Sequence, residues 1–334
     1  MSLPAALAGA ALAGVGMSVP EKVVHNKTIA DRLGIDEAWL ASRTGTRVRH
    51  VAGPTERLEE FATRAAAAAL EDAGIDPADV DLVLLGTTSA EEMSPHAAPM
   101  VAADIGAAGA GAIDVSAACT GFLSCLSMGA AQIEAGRART VVVIGADMLS
   151  RYLDPDDRST AMLFGDGAGA VVLTAIDGPS RVGPARLRSD GGGRHLIRLG
   201  RDGQRITMDG PAVYKHAVRS MTEVTREVLE LAGLEPADID LFVYHQANAR
   251  IIQAVGKRLG LDPAKVVDVV GSFANTSAAS LPIALAVAST EGRLHDGDRL
   301  LLAAFGAGMV WGGLVASWGV GAGDVKPWAA TGLA

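Results

Sequence analysis

A chain of 334 residues that is 49% hydrophobic, 20% charged and 4% aromatic can bury one large core, or a core and a subunit interface. Its net charge of −9 argues against nucleic acid as a partner for the surface as a whole. The two cysteines, Cys119 and Cys125, make no disulfide framework and fit a reducing cytoplasm.

Residues 5–19 are small and apolar, but no Lys or Arg precedes them, so the basic start of an export signal is missing. Gly14 and Gly16 would weaken a hydrophobic helix, and an opening strand is expected instead. No other run is long and apolar enough for a spanning helix, so membrane insertion is not expected. Apolar spacing predicts helices at about 57–73, 120–135, 213–232 and 249–259, and buried strands at Leu82–Leu85 and Leu241–Tyr244.

The chain repeats itself. Leu70-Glu71-Asp72-Ala73-Gly74-Ile75-Asp76-Pro77-Ala78-Asp79-Val80-Asp81-Leu82 returns as Leu229-Glu230-Leu231-Ala232-Gly233-Leu234-Glu235-Pro236-Ala237-Asp238-Ile239-Asp240-Leu241. Each copy reads as a helix end, a Gly stop, a Pro turn and a buried strand. A second echo aligns Ser116-Ala117-Ala118-Cys119 with Ser277-Ala278-Ala279-Ser280, and sets Gly145 opposite Gly306. Strands alternating with helices in each half predict a layered α/β body. The halves are expected to part near 175–190, giving 1–176 with Cys119 and 177–334 with His245 and Asn275.

Cys119 falls where an apolar run gives way to a helical pattern. A helix N-terminus offers free N–H groups and positive dipole, both favouring thiolate. His245 directly follows the strand Leu241–Tyr244, and Asn275 precedes another helical pattern. The other six histidines show no metal-ligand spacing, and no metal site is expected. A thiol, an imidazole and an amide at a shared seam form an acyl-transfer set, the thiol accepting an acyl group from a thioester. No protease-type signature surrounds Cys119. Gly165-Asp166-Gly167-Ala168-Gly169 leads into Val171-Val172-Leu173 and not into a helix, so close backbone packing is expected there in place of a phosphate loop.

In the order and spacing of its motifs the chain resembles the β-ketoacyl-[acyl-carrier-protein] synthase III family. The motifs are Trp39-Leu40-Ala41-Ser42-Arg43-Thr44-Gly45-Thr46-Arg47, the Cys119 segment, Asp157-Arg158-Ser159-Thr160, Phe164-Gly165-Asp166-Gly167-Ala168-Gly169-Ala170, His245-Gln246-Ala247-Asn248, Asn275-Thr276-Ser277-Ala278-Ala279-Ser280 and Phe305-Gly306-Ala307-Gly308. The resemblance implies a thiolase-like fold, two duplicated α/β halves packed as a layered α-β-α-β-α body. It implies a cytoplasmic homodimer without metal or redox cofactor, acting on acyl-CoA and malonyl-acyl carrier protein to start type II fatty acid synthesis.

Residue by residue, the resemblance makes Cys119 the acylated nucleophile, with His245 and Asn275 on the malonyl thioester carbonyl. The backbone N–H groups of Cys119 and Ala307 would form the oxyanion hole, and Phe305 an apolar wall for the malonyl carboxylate. Trp39, Arg43, Arg158 and Asn248 would contact CoA. Arg250, with Lys215, Arg219, Lys257 and Arg258, would dock the acidic carrier.

Ala274 stands where the family usually has Gly, Ala307 replaces a Gly, and the segment between about 178 and 212 is short. Ser94, in the region that sets primer depth, is compatible with primers longer than acetyl. A starter-unit ketosynthase or acyltransferase of a polyketide pathway is the alternative. A degradative thiolase would need a second catalytic Cys in the C-terminal half, and a silent partner subunit would have lost the nucleophile.

Overall fold

The computed structural model describes residues 8–200, 205–321 and Trp328. In chain order the first half contains β1 (Gly9–Ser18), β2 (Val23–His25), α1 (Asn26–Leu33), α2 (Glu37–Thr44), β3 (Val48–His50), α3 (Leu58–Ala73), β4 (Leu82–Gly86), α4 (Ala97–Asp104), β5 (Gly111–Val115), α5 (Gly121–Glu134), β6 (Thr140–Met148) and β7 (Asp166–Ile176). The second contains β8 (Val182–Ser189), β9 (Ile197–Arg198), β10 (Thr207–Met208), α6 (Gly210–Ala232), β11 (Leu241–Tyr244), α7 (Ala249–Leu259), β12 (Val266–Val267), α8 (Val270–Phe273), α9 (Ser280–Thr290), β13 (Arg299–Gly306) and β14 (Val310–Ser317).

Two five-stranded sheets result, β1-β7-β6-β4-β5 and β12-β11-β13-β14-β8. Each has a parallel trio (β5-β4-β6 and β12-β11-β13) and an antiparallel flank, β7 with β1 in one and β14 with β8 in the other. Side chains that alternate along a strand divide between layers. Val142, Ile144 and Ala146 of β6 pack with α3 and α4, whereas Val141 and Val143 face α5 and α9. In β13, Leu300, Leu302 and Ala304 join that same central layer, while Leu301, Ala303 and Phe305 pack under α6 and α7. The body is therefore α-β-α-β-α, a thiolase fold.

The duplicated segment forms as its sequence reads. α3 stops at Gly74 and α6 at Gly233, both left-handed (φ 63° and 67°), and each helix leads through a one-turn Pro helix into β4 or β11. α6 starts earlier than the apolar pattern shows, at Gly210, because Asp209 caps it by accepting from the Ala212 N–H at 3.1 Å.

The second echo is corrected by two residues. Leu82 pairs with Val141 and Leu241 with Leu300, so Gly145 corresponds to Ala304 and not to Gly306. One-turn helices Ala118–Thr120 and Ser277–Ala279 each begin at a positive φ (47° and 52°) and lead into α5 and α9. Cys119 is thus the counterpart of Ala278, not of Ser280. Both turns press against backbone and admit only small residues, so Ser and Ala recur in both and the match slides.

The two glycines nonetheless face equivalent visitors. A Cβ at Gly145 would collide with the Ala278 carbonyl, and one at Gly306 would stand 2.8 Å from the Cys119 nitrogen. Each half receives the other's turn at a glycine. The 165–169 segment packs the same way, with a Cβ at Gly169 falling 2.8 Å from the Ile283 nitrogen. Among the described residues no helix is long and apolar enough to cross a membrane.

Candidate active site

Cys119 sits in the single turn between β5 and α5. Its side chain accepts a hydrogen bond from the Ser277 hydroxyl at 3.4 Å, across the seam between the halves. The expectation of a resting thiolate is overturned. Burial, the largest influence, pushes the thiol up to about 12, and the Asp147 carboxylate adds to it. The Ser277 hydroxyl and the residue's own N–H act the other way and lose.

His245 is buried at the end of β11, its N–H bonded to the Ala303 carbonyl at 2.8 Å. Burial lowers its pKa to about 4, so the ring is neutral at pH 7. Nδ1 lies 2.6 Å from Ser280 Oγ, the first residue of α9, and that oxygen accepts from the Gln246 N–H at 3.4 Å. Gln246 occupies one lone pair of the hydroxyl and leaves its proton free for Nδ1; in that tautomer the ring proton sits on Nε2.

Asn275 is held by its backbone, donating to the Leu163 carbonyl and accepting from the Gly165 N–H, each at 3.0 Å. Its Oδ1 accepts from the Ser277 N–H at 2.9 Å, so Nδ2 is what it offers a ligand. The preceding Ala274 carries φ 58°, ψ −155°, a backbone region that glycine occupies more readily.

One cavity of about 1470 Å³ is lined by Cys119, His245, Asn275, Ser277, Phe305, Gly306 and Ala307. A Cβ at Gly306 would stand 2.8 Å from the Cys119 nitrogen, so its loop packs closely on the Cys119 turn, and Cys119 and Ala307 both line the cavity. Thr87 and Thr88 line the cavity too.

Trp39, Arg43, Asn248, Lys215 and Arg250 line it as well, with Arg43 over the Trp39 ring (5.4 Å) and Arg250 over Tyr214 (5.4 Å). Asn248 caps α7, accepting from the Arg250 N–H at 2.9 Å and donating to the Arg43 carbonyl at 3.0 Å. It ties the two halves together beside the cavity. Arg158 is not a lining residue; it donates to the Leu33 carbonyl at 2.8 Å. Exposed Lys257 and Arg258 lie in the last turn of α7, outside the lining, and Arg219 is exposed on α6.

Sequence reasoning passed over Ser277, Ser280, Asp147, Arg194 and Arg198. The serines were visible only as parts of a repeat, and nothing in their spacing ties them to a thiol or an imidazole. Asp147 did leave a signal, a carboxylate that continues the apolar run Val141–Ala146. Arg194 and Arg198 line the cavity from the short segment around β9.

Two sheets related by duplication, each passing its active turn to a glycine of the other, define a thiolase-fold acyltransferase. The comparisons narrow the class. Models of the 3-oxoacyl-[acyl-carrier-protein] synthase III family match residues 113–191 and, for its C-terminal part, 229–318. The chain is 48% identical over 313 residues to beta-ketoacyl-[acyl-carrier-protein] synthase III 2 of Streptomyces coelicolor, covering 93% of this chain and 94% of that protein. It is 45% identical to the synthase III of Rhodospirillum rubrum over 90% of this chain and 97% of the relative.

Among solved structures, 3-oxoacyl-[acyl-carrier-protein] synthase III from Aquifex aeolicus superposes with a TM-score of 0.89 at 39% identity, covering 93% of this chain and all of that one. The priming β-ketosynthase of the R1128 polyketide pathway gives 0.91 at 34% identity, covering 96% and 99%. The chain belongs to the 3-oxoacyl-[acyl-carrier-protein] synthase III family and is a condensing enzyme.

Proposed function

We propose that the protein joins an acyl-CoA primer to malonyl-[acyl-carrier-protein], giving 3-oxoacyl-[acyl-carrier-protein], CoA and CO2, the opening step of type II fatty acid synthesis. The observation that carries this reading is the meeting of Cys119 from the first half with His245 and Asn275 from the second in one cavity.

Cys119 attacks the primer thioester. Because the resting sulfur is a thiol, its proton must leave as the bond forms, and it ends on the departing CoA sulfur. The oxyanion is held by the N–H groups of Cys119 and Ala307, and CoA leaves as its thiol. Malonyl-carrier then enters with its thioester carbonyl between His245 Nε2–H and Asn275 Nδ2. These two donors hold the enolate formed as CO2 departs, while the buried Phe305 gives the carboxylate an apolar neighbour. The carbanion attacks the acyl-Cys119 carbonyl and sulfur leaves. No electrons are exchanged, so no redox cofactor is required, and the two enolate donors do the work a Lewis-acid metal would do.

The units of function are residues 1–176, with the nucleophile, and 177–334, with the two enolate donors. Trp39, Arg43, Arg158 and Asn248 serve CoA, and Arg250, Lys215, Lys257 and Arg258 serve the carrier. Exposed Ile113 on edge strand β5, with Met128 and Leu187, supports a homodimer, and the enzyme works in the cytoplasm. Likeness to the R1128 priming ketosynthase supports a second reading, a starter enzyme of polyketide synthesis with the same chemistry.

Intact-mass measurement after mixing with acyl-CoA is expected to show an acyl adduct that Cys119→Ala abolishes. His245→Ala and Asn275→Ala should keep the adduct and lose condensation. Full condensation by the Asn275 variant would refute its role. Competition among acetyl-, branched and medium-chain acyl-CoA separates the two readings.

A further inference from the structure

Asp147 ends the buried run of β6 with no exposed surface and, among the described residues, no ion-pair partner within 4.0 Å. Its carboxylate is nevertheless saturated. Oδ1 accepts from Thr87 Oγ1 (3.2 Å), Thr88 N (2.9 Å), Thr88 Oγ1 (3.1 Å) and Ser89 Oγ (2.7 Å). Oδ2 accepts from Ala278 N across the seam, at 3.2 Å. Ser89 Oγ in turn accepts from Met148 N at 2.8 Å.

Two segments of the cavity wall therefore hang on one side chain. Thr87 and Thr88 line the cavity from the first half, and Ala278 directly follows Ser277, whose hydroxyl reaches the Cys119 sulfur. A buried carboxylate without a cation is costly and persists only when its donors are fixed.

We infer that Asp147 is a positioning residue that locks the Thr87–Ser89 wall to the Ser277–Ala278 turn and holds a negative charge behind the nucleophile. The wall fixes where the primer sits, and the charge adds to the burial that holds the resting sulfur as a thiol. The groups bearing on Cys119 are its own N–H, the Ser277 hydroxyl before α9 and Asp147 on β6.

The inference rests on Cys119 as nucleophile. Alkylation by iodoacetamide reads the sulfur whether or not it ever carries an acyl group, so the two ideas fail separately. Asp147→Asn removes the charge and keeps an acceptor. Its alkylation rate at pH 8 is expected to rise by about threefold or more, the midpoint of the pH profile moving down, and primer KM should rise. Ser89→Ala keeps the charge and cuts the shortest bond to it, so primer KM should rise by about threefold while the alkylation midpoint stays in place. An unmoved midpoint in Asp147→Asn overturns the proposal, as does an equal shift in Ser89→Ala. Should Asp147→Asn not fold, Ser89→Ala decides alone, and an unchanged primer KM overturns it.

Discussion

Ser280 Oγ stands 2.6 Å from His245 Nδ1, and the two reach each other from different elements, the first turn of α9 and the end of β11. The serine hydroxyl fixes the side of the ring that substrate never touches. With Nδ1 engaged, Nε2 keeps the proton that a thioester carbonyl needs. Ser280→Ala frees the tautomer and ring orientation. Malonyl decarboxylation and condensation are expected to slow by about tenfold, less than the roughly hundredfold or more that a positioned proton contributes, because the ring itself remains. Acylation of Cys119 should fall less. Separate assays of the two half-reactions check this, and equal losses in both would contradict it.

Buried His245 also links stability to pH. Its pKa is about 4 in the fold and 6.5 as an ordinary imidazole. Between those values the unfolded chain binds a proton that the native protein refuses. Stability contributed by the neutral ring is therefore complete above pH 6.5 and is lost as pH falls toward 4, on the order of 3 kcal/mol at the low end. His245→Asn should flatten that part of the curve in denaturant titrations at pH 4.5 and 7. A parallel decline in variant and parent would show that other groups drive it.

Ser277 gives a prediction of opposite sign for the sulfur. Its hydroxyl donates to Sγ and favours thiolate, although burial outweighs it. Ser277→Ala should move the thiol further up, so alkylation at pH 9 slows. The same change should slow acyl transfer from CoA. Faster alkylation would mean that the hydroxyl shields the sulfur more than it stabilises the anion.

How far the sequence carried depended on what kind of contact was at stake. β11 and the stop of α3 were legible because apolar runs, Gly stops and Pro turns are local signals. The meeting of Cys119, His245 and Asn275 was legible only through the repeat and the family motifs. What stayed hidden is tertiary: Ser280 against His245, Asp147 against Ala278, and burial strong enough to reverse the expected state of Cys119. Small residues at the seam also blurred the repeat, since Ser-Ala-Ala fits either turn.

The positions of the basic residues sharpen the carrier-docking argument. Arg250 lines the cavity and stacks on Tyr214, so Arg250→Glu is expected to impair reaction with CoA primer and with malonyl-carrier alike. Lys257 and Arg258 lie outside the lining, in the last turn of α7. The double change Lys257→Glu and Arg258→Glu should slow only the carrier half-reaction, by about tenfold at low salt and less as ionic strength rises. Acylation by CoA should be spared. An equal loss in both half-reactions, or no salt dependence, would remove these two residues from the docking surface.

Gly306 offers the most direct test of the oxyanion wall. Its Cα lies so close to the nucleophile's turn that a Cβ would stand 2.8 Å from the Cys119 nitrogen and 3.2 Å from the Ala118 Cβ. Neither contact ends on a flexible side chain, so the backbone must move. That displacement would separate the two N–H groups proposed to point at one oxygen. Loss of a single oxyanion donor lowers kcat by about a hundredfold or more. Gly306→Ala should therefore slow acylation and condensation together by about that factor, because both steps form an oxyanion at the same wall. Its Tm should drop by only a few degrees, the strain being local. An active Gly306→Ala enzyme would show that the Cys119 and Ala307 N–H groups do not act as a pair. Loss confined to condensation would place the damage at the malonyl side instead.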